Sequence, residues 1–84
     1  MFATTFFACT YAACNGYIVD TSISESDCYQ NMIKPSESFA NVWSVHESYV
    51  PLQKWLDDHK ISETANELTD YDFTCEFVKQ DDMP

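Results

Sequence analysis

Residues 3–21 read ATTFFACTYAACNGYIVDT, and two stretches of alternating, β-prone residues flank the Asn15-Gly16 dipeptide. Residues 3–12 mix Thr, Phe and Tyr without helical spacing. Phe7, Cys9 and Tyr11 fall on one face of a strand, and Phe6, Ala8 and Thr10 on the other. Asn-Gly is a strong hairpin-turn signal, because both residues tolerate positive φ. The β-branched run Tyr17–Thr21 then reads as the returning strand, so the first 23 residues predict a hairpin. Far away in sequence, YDFTCEFVK (residues 71–79) alternates again. Tyr71, Phe73, Cys75 and Phe77 point one way; Asp72, Thr74, Glu76 and Val78 point the other, as in a strand that is apolar inside and acidic outside.

The intervening chain has helical spacing. Ser24 is placed to cap a helix, with Asp27 at the position that reaches back. Cys28 with Met32 and Tyr29 with Ile33 form i,i+4 pairs on adjacent stripes. Pro35 predicts a helix end at Lys34, giving a short helix over 25–34. Residues 36–50 fit either a helix, through Phe39, Val42, Trp43, His46 and Tyr49, or a strand from Val42; the helix is the preferred reading. Pro51 suits the first turn of a further helix running to about Lys60, with Leu52, Trp55, Leu56 and His59 on its stripe. Ser62 is a candidate cap for a last short turn with Ala65 and Leu68 inward. The expected fold class is α+β: a small antiparallel sheet, made of the N-terminal hairpin plus the C-terminal strand, packed against two or three helices. At 84 residues the chain has room for one domain, 1–84, and no second core.

Composition sets the function classes. Six Phe, five Tyr and two Trp promise a rich core for so short a chain. Fourteen Asp and Glu stand against four Lys and no Arg, for a formal net charge of −10. Such a field repels nucleic acid and anionic membrane, and it steers basic surfaces toward the protein. A single glycine rules out a Gly-rich phosphate loop.

Cys9, Cys14, Cys28 and Cys75 permit two disulfides in any of three connectivities. The N-terminal apolar run has no Lys or Arg before it, unlike a secretory signal. Tyr11–Cys14 resembles a lipoprotein cleavage box, with Tyr where Leu is usual. The expectation is a cytoplasmic protein with reduced core cysteines; an exported, disulfide-stapled chain is the alternative. No stretch approaches the length of a membrane-spanning helix.

Catalytic and metal-binding patterns are scarce. His46 and His59 are the only histidines, and no spacing sets either beside a thiol. The cysteines form no C-x-x-C knuckle, and neither Asp57-Asp58 nor Asp81-Asp82 lies in a calcium loop. The expectation is no enzyme and no cofactor. The carboxylates are more informative. Nine of the fourteen fall between Asp57 and Asp82, beside only Lys60 and Lys79. Glu63 and Glu67, four apart, would stack on one helical face. Asp70, Asp72 and Glu76 would share a strand face, at a two-residue repeat of about 6.6–6.8 Å, close to the spacing of phosphates along a nucleic-acid strand. Asp57, Asp58, Glu63, Glu67, Asp70, Asp72 and Glu76 are therefore the candidate partner-binding residues, with Tyr49 or Tyr71 as aromatic rim contacts and Trp43 a further candidate if exposed.

In size, charge and α+β pattern the whole chain resembles small phage-encoded inhibitors, among them anti-CRISPR proteins and other DNA mimics. The Cys9 strand, Asn15-Gly16 turn, YIVD strand and Cys28 helix are also similar to short prophage proteins. The resemblance implies a non-enzymatic inhibitor acting in the host cytoplasm. Its carboxylates would occupy the basic nucleic-acid-binding surface of a host defence or nucleic-acid-processing protein.

Overall fold

A computed structural model describes residues 1–44 and 49–79. The chain runs β1 (Phe2–Cys9), β2 (Cys14–Ser22), α1 (Glu25–Trp43), α2 (Val50–Asp58), a single 3-10 turn (Ala65–Glu67) and β3 (Asp70–Phe77). The strands form one antiparallel sheet in the order β2-β1-β3, and α1 packs against all three while α2 packs against α1. This is the expected α+β arrangement, with both helices on one face of the sheet.

The register explains the core. β1 is central, and Phe2, Thr4, Phe6 and Ala8 stand opposite Phe77, Cys75, Phe73 and Tyr71 of β3. The predicted strand phase of residues 71–77 thus holds, although Phe77, at the end of the row, is exposed and meets Phe2 edge-on at 5.5 Å. Phe6 and Phe39 are fully buried and lie at 4.8 Å, ring centre to ring centre; Trp55 sits 4.8 Å from Phe39 and 5.3 Å from Phe6. Trp43 packs on Phe39 and Tyr71 at 5.7 and 5.0 Å, so both Trp43 and Tyr71 belong to the core margin and neither is the exposed rim contact considered above. Buried polar atoms are paired: Thr4 Oγ1 lies 3.3 Å from Cys28 Sγ, and Asn31 Nδ2 donates to Ser22 Oγ at 2.9 Å.

Three local expectations are corrected. The hairpin turn is at Thr10–Ala13, closed by Thr10 N–H donating to the Ala13 carbonyl at 2.9 Å, and Asn15 and Gly16 lie inside β2 opposite Ala8 and Phe7. Gly16 has no positive φ. It is glycine because the Phe7 ring lies over it: a Cβ there would come within 2.9 Å of Phe7 Cε1, a close approach that explains an in-strand glycine.

Pro35 does not end α1, which continues through it to Trp43 and absorbs the first half of the ambiguous 36–50 segment. Proline removes one helical hydrogen bond. Here Ser36 Oγ donates to the Ile33 carbonyl and Ser38 Oγ to the Pro35 carbonyl, at 2.9 and 3.1 Å. Cys28 and Phe39, one on each side of Pro35, are both fully buried, so packing holds the helix together across the break. The Ser24 cap is present, its Oγ accepting from Asp27 N–H at 3.2 Å. His46, Asp81 and Asp82 lie outside the described residues, as do residues 45–48 of the 36–50 segment; Tyr49 is the exposed N-cap of α2, and Val50 opens that helix.

Pro51 does sit in the first turn of α2. This helix ends at Asp58 with His59 as its C-cap, and Lys60 follows with a φ of 58°; Ile61 N–H donates to the Leu56 carbonyl and Lys60 N–H to that of Asp57. That pairing is a Schellman stop, and it folds Ile61 back onto the core. The following turn is capped by neither Ser62 nor any N-cap side chain. Instead the Ala65 N–H is taken by Gln53 Oε1 at 2.9 Å.

Candidate acidic interaction surface

Because Tyr71, Phe73 and Cys75 face the helices, the alternate residues of β3 must face away. Asp70, Asp72 and Glu76 therefore lie on the uncovered face of the sheet, opposite Cys9, Phe7 and Ala3 of β1. All three acids are exposed. Ile18 and Gly16 continue the same face on β2, so the acidic row borders a strip of small and apolar residues. No lysine lies in these strands: Lys34 is on α1, Lys54 on α2, Lys60 in the turn after it, and Lys79 beyond the end of β3. Among the described residues the ion pair formed is Lys54–Asp58, at 3.1 Å.

The remaining candidate carboxylates are dispersed. Asp57 and Asp58 end α2 and are engaged by Gln53 and Lys54, each at 3.1 Å. The expected helical stack of Glu63 on Glu67 is corrected. Glu63 precedes the 3-10 turn and Glu67 ends it, because Ile61 is drawn into the core and leaves no continuous helix through 61–68. Glu63 instead reaches β2, the sheet edge opposite β3, where its Oε2 accepts from Tyr17 Oη and from Asn15 Nδ2, the latter at 3.2 Å. Among the described residues the acids in the last third of the chain do not form one patch, and the β3 row is their shared, uncovered surface.

Glu63 has a structural consequence of its own. The hydrogen bond to its carboxylate, then partial burial, then its negative charge push the Tyr17 hydroxyl up to about 12. All three favour the neutral phenol, the form that donates. A raised folded-state value means that this stabilisation is complete below the ordinary tyrosine range near 10 and is lost as pH climbs from there toward 12. Phenolate absorbance should therefore show Tyr17 ionising only toward about pH 12. Glu63→Gln should return it toward the ordinary range; an unchanged titration in that variant would refute the contact.

The expectation of reduced core thiols is also corrected. Cys9 bonds to Cys14 across the mouth of the hairpin, and Cys28 bonds to Cys75, tying α1 to β3. Only Cys28 is fully buried. The pairing follows from placement: Cys9 and Cys14 are register partners, and Cys28 faces the inward row of β3. With all four sulfurs paired, no thiol is left for His59 to activate. His59 itself stacks on Trp55 at 3.9 Å and donates from Nδ1 to the Trp55 carbonyl at 2.8 Å. It also lines an open cleft of about 300 Å³ between β2 and α1, together with Asp20, Asn31 and Lys34. No group of three or more His, Cys, Asp or Glu side chains suited to a metal occurs among the described residues, and no described helix is long and apolar enough to cross a membrane.

No family model matches the chain, and no curated protein and no solved structure matches it.

Proposed function

We propose that this chain is a non-enzymatic acidic binding protein whose partner is a basic, nucleic-acid-binding protein. The observation that carries the reading is the row Asp70, Asp72 and Glu76, exposed on the uncovered sheet face with no lysine in any strand. Charges kept together without counter-charges raise the local potential and speed encounter with a cationic surface. Their strand repeat, about 6.6–6.8 Å, lets successive carboxylates stand where phosphates stand in a Lys- and Arg-lined channel. The likeness to phage-encoded inhibitors supplies the target class, a host defence or nucleic-acid-processing protein. Phe7 and Ile18 beside the row offer the apolar contact that a purely electrostatic encounter lacks.

The test is capture of proteins from a bacterial lysate at low and high salt, followed by competition with duplex DNA. The native chain should retain basic proteins that DNA displaces and that high salt releases. Asp70→Lys/Asp72→Lys/Glu76→Lys should lose them at least tenfold while keeping the native circular dichroism. Equal capture by the triple variant would sink the carboxylate-row reading.

The two disulfides favour a second reading, an exported, stapled protein working in an oxidising compartment. The cytoplasmic location expected from the N-terminus goes with reduced thiols. Mass spectrometry of alkylated protein from the native source separates the two: four alkylated cysteines reject the exported form.

A further inference from the structure

Among the described residues the three-stranded sheet has two unpaired edges, β2 and β3. An edge that offers free N–H groups is a template for another strand. Immediately after β3 the Val78 N–H donates to the Met1 carbonyl. With the continuous register this turns residues 76, 74 and 72 toward β1, and turns Tyr71, Phe73 and Cys75 outward. Two of those outward donors are already taken. Tyr71 N–H donates to Asp70 Oδ1 at 2.8 Å, and Phe73 N–H donates to Asp72 Oδ1 at 2.9 Å. On the opposite edge Thr21, register partner of Ala3, also faces outward, and its N–H donates to Asp20 Oδ1 at 2.8 Å. In each case the acceptor is the aspartate immediately before the outward residue.

We propose that Asp70 and Asp72 are edge caps that keep β3 from pairing with β3 of a second copy of this chain. Each carboxylate occupies the donor that an incoming strand would need, and charge adds to the block. Antiparallel self-pairing with the acidic faces aligned can centre on Asp72, Phe73 or Thr74. The first sets Asp72 against Asp72, the second Asp70 against Glu76, and the third Asp72 against Glu76. Like charges directly opposite one another destabilise a strand pair. The inward row, Tyr71, Phe73 and Phe77, would otherwise suit extension of the sheet, since Phe77 already stands exposed at its end. This inference goes beyond the partner reading and does not depend on it.

Substituting asparagine separates the two, because its amide oxygen keeps the acceptor while the charge is lost. Sedimentation velocity over a range of concentrations should find the native chain and Asp70→Asn/Asp72→Asn monomeric, and Asp70→Ala/Asp72→Ala self-associating at least tenfold more tightly. A native chain that already dimerises through β3, a monomeric alanine variant, or equal association of the asparagine and alanine variants would each overturn the caps. If the alanine variant does not fold, amide hydrogen exchange on the native chain decides. The Tyr71 and Phe73 N–H groups should exchange at least tenfold more slowly than that of Cys75, which faces outward without a carboxylate before it; equal rates overturn the proposal. Loss of lysate capture by the asparagine variant, without a change in its oligomeric state, bears on the partner reading alone.

Discussion

Removing the Cys28–Cys75 disulfide by a Cys28→Ala/Cys75→Ala substitution is expected to cost about 4 kcal/mol, against about 2 kcal/mol for Cys9→Ala/Cys14→Ala. The two bonds differ in what they constrain. Cys28 and Cys75 are 47 residues apart, Cys9 and Cys14 only 5, and the entropy withdrawn from the unfolded chain grows with the logarithm of the loop. The longer bridge also joins the first turn of α1 to the edge strand, two elements that meet only through tertiary packing. A domain this short starts with little stability to lose, so the Cys28–Cys75 variant should unfold at much lower urea than the native chain. Urea unfolding of both double variants, extrapolated linearly to water, provides the comparison. Equal losses, or a larger loss for Cys9–Cys14, would refute the loop-length account.

The second large effect is expected at Phe39. This ring is fully buried and meets Phe6, Trp43, Trp55, Tyr71 and Phe73 with centre separations from 4.4 to 6.1 Å. It thus joins α1, α2, β1 and β3 at one point. Tilted and edge-on aromatic pairs add to area burial, and the rigid neighbours leave a void that cannot collapse fully. Phe39→Ala should lose about 3–5 kcal/mol. Ile23→Ala, at a side chain that is 90% exposed, should change stability by no more than about 0.5 kcal/mol. The same urea titration checks both, and a Phe39→Ala loss below about 1 kcal/mol would place the centre of the core elsewhere.

The acidic character has two sources of meaning, and they act at different atoms. Net charge and the uncovered β3 row concern what approaches the protein. The Oδ1 atoms of Asp70 and Asp72 concern the strand's own N–H groups. Under the two proposals one side chain serves both, because a carboxylate has a second oxygen free to face solvent. Glu63 acts elsewhere: its Oε2 is held by Tyr17 and Asn15, which fastens the 61–64 loop to β2.

The sequence alone determined what short-range chemistry controls. Alternation over residues 71–77 set which side chains of β3 face inward, since a strand's period of two admits only one apolar face. Ser24 marked the start of α1, and Pro51 the first turn of α2, because capping oxygens and a fixed φ act within one turn. These features sufficed for the α+β class and for the shared face of Asp70, Asp72 and Glu76. The position of the hairpin turn, the run of α1 through Pro35, the pairing of the cysteines and the scattering of the other carboxylates were decided only by tertiary structure. Gly16 went into a strand because Phe7 needed the space above it. Pro35 was carried inside a helix because Cys28 and Phe39 were buried on either side. Glu63 left Glu67 because Ile61 and Gln53 drew the loop inward. In each case the local preference is worth about 1–3 kcal/mol, and burying side chains that lie far apart in sequence outweighs it.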